Sequence, residues 1–307
     1  MLNETLARLG RWVRPRLAVP VWSSGMGLAR TLIAFGTLGT LATSPPTALM
    51  SPLANGVVPP ICQGLGAGGI WCLAPGNLAV GRWVSIAVLL AVASGWRPRL
   101  TAIPHWYVSW SLIANATLQD GGDQITAVLT LLLIPICLTD SRRWHWLPCE
   151  NTAAVSTRQL IARVTVLLIQ IQMAVLYLQA SMAKLGVAEW SDGTAMYYWS
   201  HHPTFGSAPW FRPVTDLITY SPVGVAMMTW GSIALEFSLA IAIVLAPPVR
   251  RILLVAGLVF HTLIALDMGL VSFGFAMAGG LLLYLLPVGH ELRWPRRLWH
   301  RLRPATV

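Results

Sequence analysis

The chain has 307 residues, of which 55% are hydrophobic and only 10% charged, against roughly a quarter charged in an ordinary soluble domain. With a mean hydropathy of +0.63, that balance excludes a soluble globular protein and marks an integral membrane protein. The net charge of +10 does not indicate a nucleic-acid partner, because the arginines lie between apolar runs and form no basic face with interleaved aromatic platforms.

In chain order, residues 1–25 carry Arg8, Arg11, Arg14 and Arg16 on a short amphipathic segment assigned to the cytoplasm. A first apolar run follows at about 26–43. The arginine-rich start and the small residues Ala42 to Ser44 are similar to a secretory signal, but the many later spans favour a retained first helix. Arg30, inside this run, reads as an interfacial arginine or as half of an ion pair to another helix. From Ser44 to about Leu78 runs a Pro- and Gly-rich loop containing Cys62 and Cys72. If that loop is extracytoplasmic, the two thiols suit a structural disulfide; free thiols and a redox pair remain as alternatives.

The later apolar runs are 79–96, 102–118, 123–139, 158–184, 221–246, 249–267 and 269–287. With the first they predict an all-α membrane protein, a bundle of about eight transmembrane helices over 26–287, each near the roughly 17–25 residues a span needs. A basic tail, 288–307, follows. With a cytoplasmic N-terminus, 18 of the 21 basic residues fall on inner segments and only Arg82, Lys184 and Arg212 on outer ones. The positive-inside rule then puts both termini in the cytoplasm and residues 185–220 outside. Cys137 and Cys149 would lie at or inside the inner face and stay reduced.

Polar groups inside spans are costly and tend to face a cavity or a partner. In the fifth span Gln170, Tyr177, Ser181 and Lys184 share one helical face. Glu236 sits near the middle of the sixth span, and His261 lies in the outer half of the seventh. These residues suit either a hydrogen-bond network between helices or a pocket opening to the outer face. Lys184 is the only lysine, the other 20 basic residues being arginine. A guanidinium keeps its proton in any protein setting, whereas an amine at an apolar boundary gives one up more readily and can serve as a base. A snorkelling lysine that marks the end of a span is the simpler alternative. Beyond it, Ser191 or Asp192 is placed to cap a short aromatic helix in TAMYYWS, which Pro203 ends. The adjacent His201 and His202 are poorly spaced for a metal, and none is expected. No dinucleotide or phosphate-loop glycine motif, paired CxxC or HExxH occurs.

The segment YLQASMAKLGVAEWSDGTAMYYWSHH resembles the signature of the vitamin K-dependent gamma-carboxylase superfamily, whose shared membrane part is the HTTM domain. Lys184, Leu185, Trp190, Gly193 and His202 follow the order of that signature. Arg30, the acidic Glu236, and Phe260 with His261 fall where the family has similar features. The compact size, the loop of Cys62 and Cys72 and the NATLQDGGDQ segment look more like the bacterial sporulation-delaying protein B family.

The resemblance implies a multi-pass protein of the bacterial plasma membrane that matures an exported antimicrobial peptide toxin alongside a small sporulation-delaying protein A-like partner. In the carboxylase the lysine is taken to deprotonate a quinol, which with oxygen yields the stronger base that attacks glutamate. Carried over, this makes Lys184 the catalytic base, with Glu236, His261, Tyr177, Ser181, Trp190, Gly193, His202 and Arg30 supporting the pocket and a membrane quinone as the cofactor. The sequence ends soon after the last span, where the carboxylase has a large luminal region, so a shared quinol-pocket scaffold is expected rather than carboxylation itself. A non-catalytic chaperone or export factor for the same peptide is the alternative.

Overall fold

The computed structural model describes residues 18–53, 56–117, 119–149 and 156–292, so most of the amphipathic start and nearly all of the basic tail lie outside the described residues. Eight long helices occur among them: α1 Ser24–Thr43, α2 Leu78–Ser94, α3 Pro98–Asn115, α4 Gly121–Thr139, α5 Thr157–Leu185, α6 Pro222–Ala240, α7 Pro247–Met268 and α8 Val271–Leu285. No β-strand forms among the described residues. The chain is a helical membrane protein.

Local chemistry sets the helix ends. Ser23, Ser156 and Ser221 cap α1, α5 and α6 through their hydroxyls, and Asp120 with Asp123 forms a capping box at α4. Proline opens α3, α6 and α7, where its missing N–H costs nothing. At the other end of α1, Arg82 of α2 donates to the carbonyls of Leu41 and Ala42, satisfying acceptors that the helix leaves bare.

Helices occupy all eight expected span positions, but they are not equally able to cross a bilayer. Five are long and apolar enough: α1, α4, α5, α6 with its 3-10 extension to Val244, and α7. The apolar helices α2 and α8 are shorter, at 17 and 15 residues, so three of the eight expected spans lack the length or the apolarity that the other five have. In α3 the shortfall is apolarity, since Thr101, His105, Ser109, Ser111 and Asn115 are all buried along it.

Helix α8 lies between its neighbours, packed on α1, α4, α5 and α7. Its closest approach is to α1, where a Cβ on Gly279 would lie 2.7 Å from the Ala29 carbonyl oxygen and 2.5 Å from Ile33. Only glycine lets the two backbones meet this closely, the usual device for helix association where lipid supplies no hydrophobic drive. Around α8 the first core gathers Ile33, Leu129, Leu133, Met173, Leu281 and Tyr284. A second core joins α2 and α3 to the outer loop through Leu89, Val92, Leu112, Ile70 and Trp71. That loop is pinned by the Cys62–Cys72 disulfide, by the Tyr107 hydroxyl donating to the Gly68 carbonyl at 2.7 Å, and by the Ile70 N–H donating to Ser111. On the outside, Leu160, Val164, Leu167, Ile171, Val175, Leu178 and Met182 form an exposed apolar stripe along α5, and Ile252, Val255, Val259, Leu263 and Leu266 form one along α7. Such faces are untenable in water and suit lipid contact.

Candidate functional site

Helix α5 is 29 residues long, and its buried face carries Tyr177 and, two turns later, Lys184. Because side chains seven apart share a helical face, both look into the space between α4, α6, α7 and α8. From α6, Glu236 meets the lysine: Lys184 Nζ donates to both carboxylate oxygens, at 2.7 Å and 2.5 Å. Glu236 is buried, whereas the Lys184 side chain keeps 22% of its exposure. The ammonium also lies 5.2 Å from the centre of the Trp190 ring, a cation–π contact made by the first turn of chain beyond the helix. From α7, His261 Nε2 shares a 2.9 Å hydrogen bond with the Tyr177 hydroxyl. Its other ring nitrogen is buried without a partner among the described residues, and Phe260 and Phe273 hold the ring edge-on at 5.1 Å and 5.4 Å.

Tyr177, Lys184, Glu236, His261 and Phe273 line a cavity of about 460 Å³, within the roughly 300–1,000 Å³ typical of small-molecule sites. Tyr177, Lys184, Glu236 and His261 form one wall, Phe273 and Met277 of α8 another, and three carboxamides, Gln124, Gln172 and Gln179, the rest of the polar surface.

Other residues singled out in the sequence stand apart from the cavity. Ser181 is buried and donates to the Leu178 carbonyl within its own helix. Gln170 donates to the Tyr284 carbonyl at 3.3 Å and joins α5 to α8. Gly193 has φ +87°, and a Cβ there would lie 3.0 Å from the Trp230 indole nitrogen, so the turn that carries the chain back over α6 requires glycine. His202 accepts from the N–H groups of Thr204 and Phe205 and closes that turn. The short helix Ala195–Ser200 is capped by neither Ser191 nor Asp192; its N-cap residue is Thr194. Asp192 instead accepts from the Thr194 N–H and hydroxyl, an Asx turn that competes with capping.

Arg30 belongs to a different region. Among the described residues it makes no ion pair: it is 2% exposed, and it donates to the Thr101 hydroxyl of α3 at 2.9 Å. Close by, the segment after α4 folds inward with Arg142 paired to Asp140 at 2.8 Å, and His145 sits 3.3 Å from the Thr31 hydroxyl. Burial, then the charges of Arg30 and Arg142, hold the His145 imidazole well below its usual pKa and therefore neutral.

The cavity glutamines and Phe273 were missed by sequence reasoning. Gln172 and Gln179 repeat the spacing of seven that links Tyr177 to Lys184, and that shared period was the available signal.

A family model described as "HTTM domain" matches residues 83–287. The chain is 37% identical over 290 residues to the protein named "Uncharacterized protein YitO" of Bacillus subtilis (strain 168), covering 91% of this chain and 92% of that protein. It is 34% identical over 274 residues to "Sporulation-delaying protein SdpB" of the same organism, covering 88% of this chain and 84% of that one. No solved structure matches.

Proposed function

The chain belongs to the HTTM domain family, and from that premise we propose that it is a maturation factor of the bacterial plasma membrane that modifies an exported, sporulation-delaying-type antimicrobial peptide, with Lys184 as general base. The observation that carries this reading is the Lys184–Glu236 pair facing a cavity rather than being sealed in the core. At hydrogen-bond distance the proton can pass from Nζ to the carboxylate, which leaves a neutral amine able to accept one from a substrate. Trp190 covers the amine and limits water, and Tyr177 fixes the orientation of His261. The unpartnered nitrogen of His261 and the size of the cavity fit a membrane quinol, held by Lys184, Glu236 and His261. When bound, a quinol supplies an acidic hydroxyl and reducing equivalents. The likeness to a sporulation-delaying protein motivates the substrate class and a small sporulation-delaying protein A-like partner.

In this reading all eight helices span the membrane as one domain over 26–287, both termini are cytoplasmic, and residues 185–220 lie outside. An impermeant thiol reagent added to intact cells then labels Thr204→Cys and not Arg251→Cys; the reverse pattern sinks the orientation. The functional test is the mass of an exported sporulation-delaying-type peptide in cells with and without this protein. A mass difference that depends on the protein supports modification. An unchanged mass with reduced export favours the second reading, a peptide chaperone, which the mutual satisfaction of Lys184 and Glu236 also suits.

A further inference from the structure

The short helix Arg212–Thr219 is built inside out. Thr215 and Thr219, one turn apart, are buried against the bundle, and the Thr215 hydroxyl donates at 2.6 Å to Asp267 Oδ1 near the end of α7. Asp216 lies 3.4 Å from His201 Nε2. The opposite face carries Val214, Leu217 and Ile218, spaced three and four apart as one helical face requires, and all three are exposed, Leu217 by 81%. A helix that rests on a protein in water turns its apolar face inward and its polar face outward. This one does the reverse.

Its place in the fold indicates what covers the apolar face. Trp210, 70% exposed, donates its indole N–H to the Leu266 carbonyl at 3.0 Å, and the Ala208 N–H donates to the Asp267 carbonyl, so the segment starts from the end of α7. It finishes at Ser221, the N-cap of α6. Both α6 and α7 are long and apolar enough to cross a bilayer, which puts the short helix at the level where the two spans meet one membrane surface. Exposed apolar side chains continue from it on both sides, to Leu263 and Leu266 of α7 and to Val223 and Met227 at the start of α6. Valine, leucine and isoleucine offer no donor or acceptor. A protein interface carries about one hydrogen bond per 100–200 Å², whereas acyl chains need none. Exposed Trp210, Arg212 and Tyr220 flank the face, as aromatic and basic residues do at headgroup level.

We propose that Arg212–Thr219 is an in-plane membrane helix that seats Val214, Leu217 and Ile218 among the acyl chains of the adjacent leaflet. Its partner is lipid, and it ties the segment between α5 and α6 to the bilayer surface. This rests on α6 and α7 crossing the membrane, and neither on which end faces out nor on a peptide substrate.

The test places a bimane fluorophore on the full-length protein in lipid nanodiscs, at Leu217→Cys or Val214→Cys, with Cys137→Ala and Cys149→Ser in the background and the disulfide kept. Leu263→Cys on the apolar stripe of α7 and Thr204→Cys in the exposed turn are the two references. Quenchers are aqueous iodide and a phosphatidylcholine that carries a nitroxide at the top of its acyl chain. Probes at 217 and 214 are expected to be quenched by the nitroxide lipid as at 263, and to lose the iodide quenching seen at 204. Iodide quenching equal to that at 204 overturns the proposal. Protection from both quenchers also overturns it, because the face is then covered by protein. Positions 217 and 214 are both exposed, so the labels disturb no packing, and agreement between them guards against a local artefact. Iodide reaches both faces of a nanodisc, so a reversed orientation leaves the result unchanged.

Discussion

Lys184 and Arg30 are both cations held within the helical bundle, and their surroundings differ in nearly every other respect. Lys184 has a carboxylate partner, an aromatic lid and an open cavity in front of it. Arg30 is almost fully buried, bonds a threonine hydroxyl, and has a neutral imidazole nearby. In the function proposed above, the polar chemistry that faces a ligand is built around an amine with a carboxylate beside it. Polar chemistry that joins helices is built around a permanently charged fork packed against hydroxyls and rings.

The largest expected effect is at the base. Lys184→Ala lowers peptide maturation on the order of a hundredfold or more, the usual contribution of a positioned general base, measured as modified peptide per unit of membrane-inserted protein. A fall of only a few-fold would blur the contrast with Arg30.

Glu236→Ala comes next, and its effect is on stability. It leaves the ammonium without its partner, which for a fully buried pair costs roughly 3–5 kcal/mol; the cost is smaller here because Lys184 keeps 22% of its exposure. Thermal unfolding in detergent should show that adding Lys184→Ala to Glu236→Ala recovers part of the loss. A double variant no more stable than Glu236→Ala alone would mean that the two residues are not coupled.

Arg30→Met should matter less. Removing a buried charge together with its desolvation penalty is often close to neutral, so the expected loss is no more than about 2 kcal/mol, with maturation per folded molecule unchanged. The smallest change is Gly193→Ala, where a left-handed backbone and the nearby Trp230 ring penalise a side chain by about 1–2 kcal/mol. Faster proteolysis between 186 and 200, with the helical bundle intact, is the expected sign.

What could be read from the sequence follows the same division. Lys184, Glu236 and His261 stand out because a titratable group in an apolar run is conspicuous, and the run boundaries lie within a few residues of the helix ends. The glutamines do not stand out, because an uncharged amide barely alters hydropathy and Gln170, two residues before Gln172, points to α8 instead. The surroundings of Arg30 were not legible because its hydrogen-bond partner lies on α3, and nothing in the run that holds it reveals which elements fold against it. The count of spans was uncertain for a related reason: α3 buries its polar residues against neighbouring helices, so its composition reflects packing as much as its relation to lipid.

The most direct test of the contrast exchanges the cations in parallel: Lys184→Arg and Arg30→Lys, each assayed for modified peptide per membrane-inserted molecule. Lys184→Arg keeps the charge and can still pair with Glu236, but it cannot give up its proton. The account expects Lys184→Arg to be inactive at normal abundance and Arg30→Lys to be active per molecule even where less of it accumulates. Mature peptide produced by Lys184→Arg at the wild-type rate would contradict it.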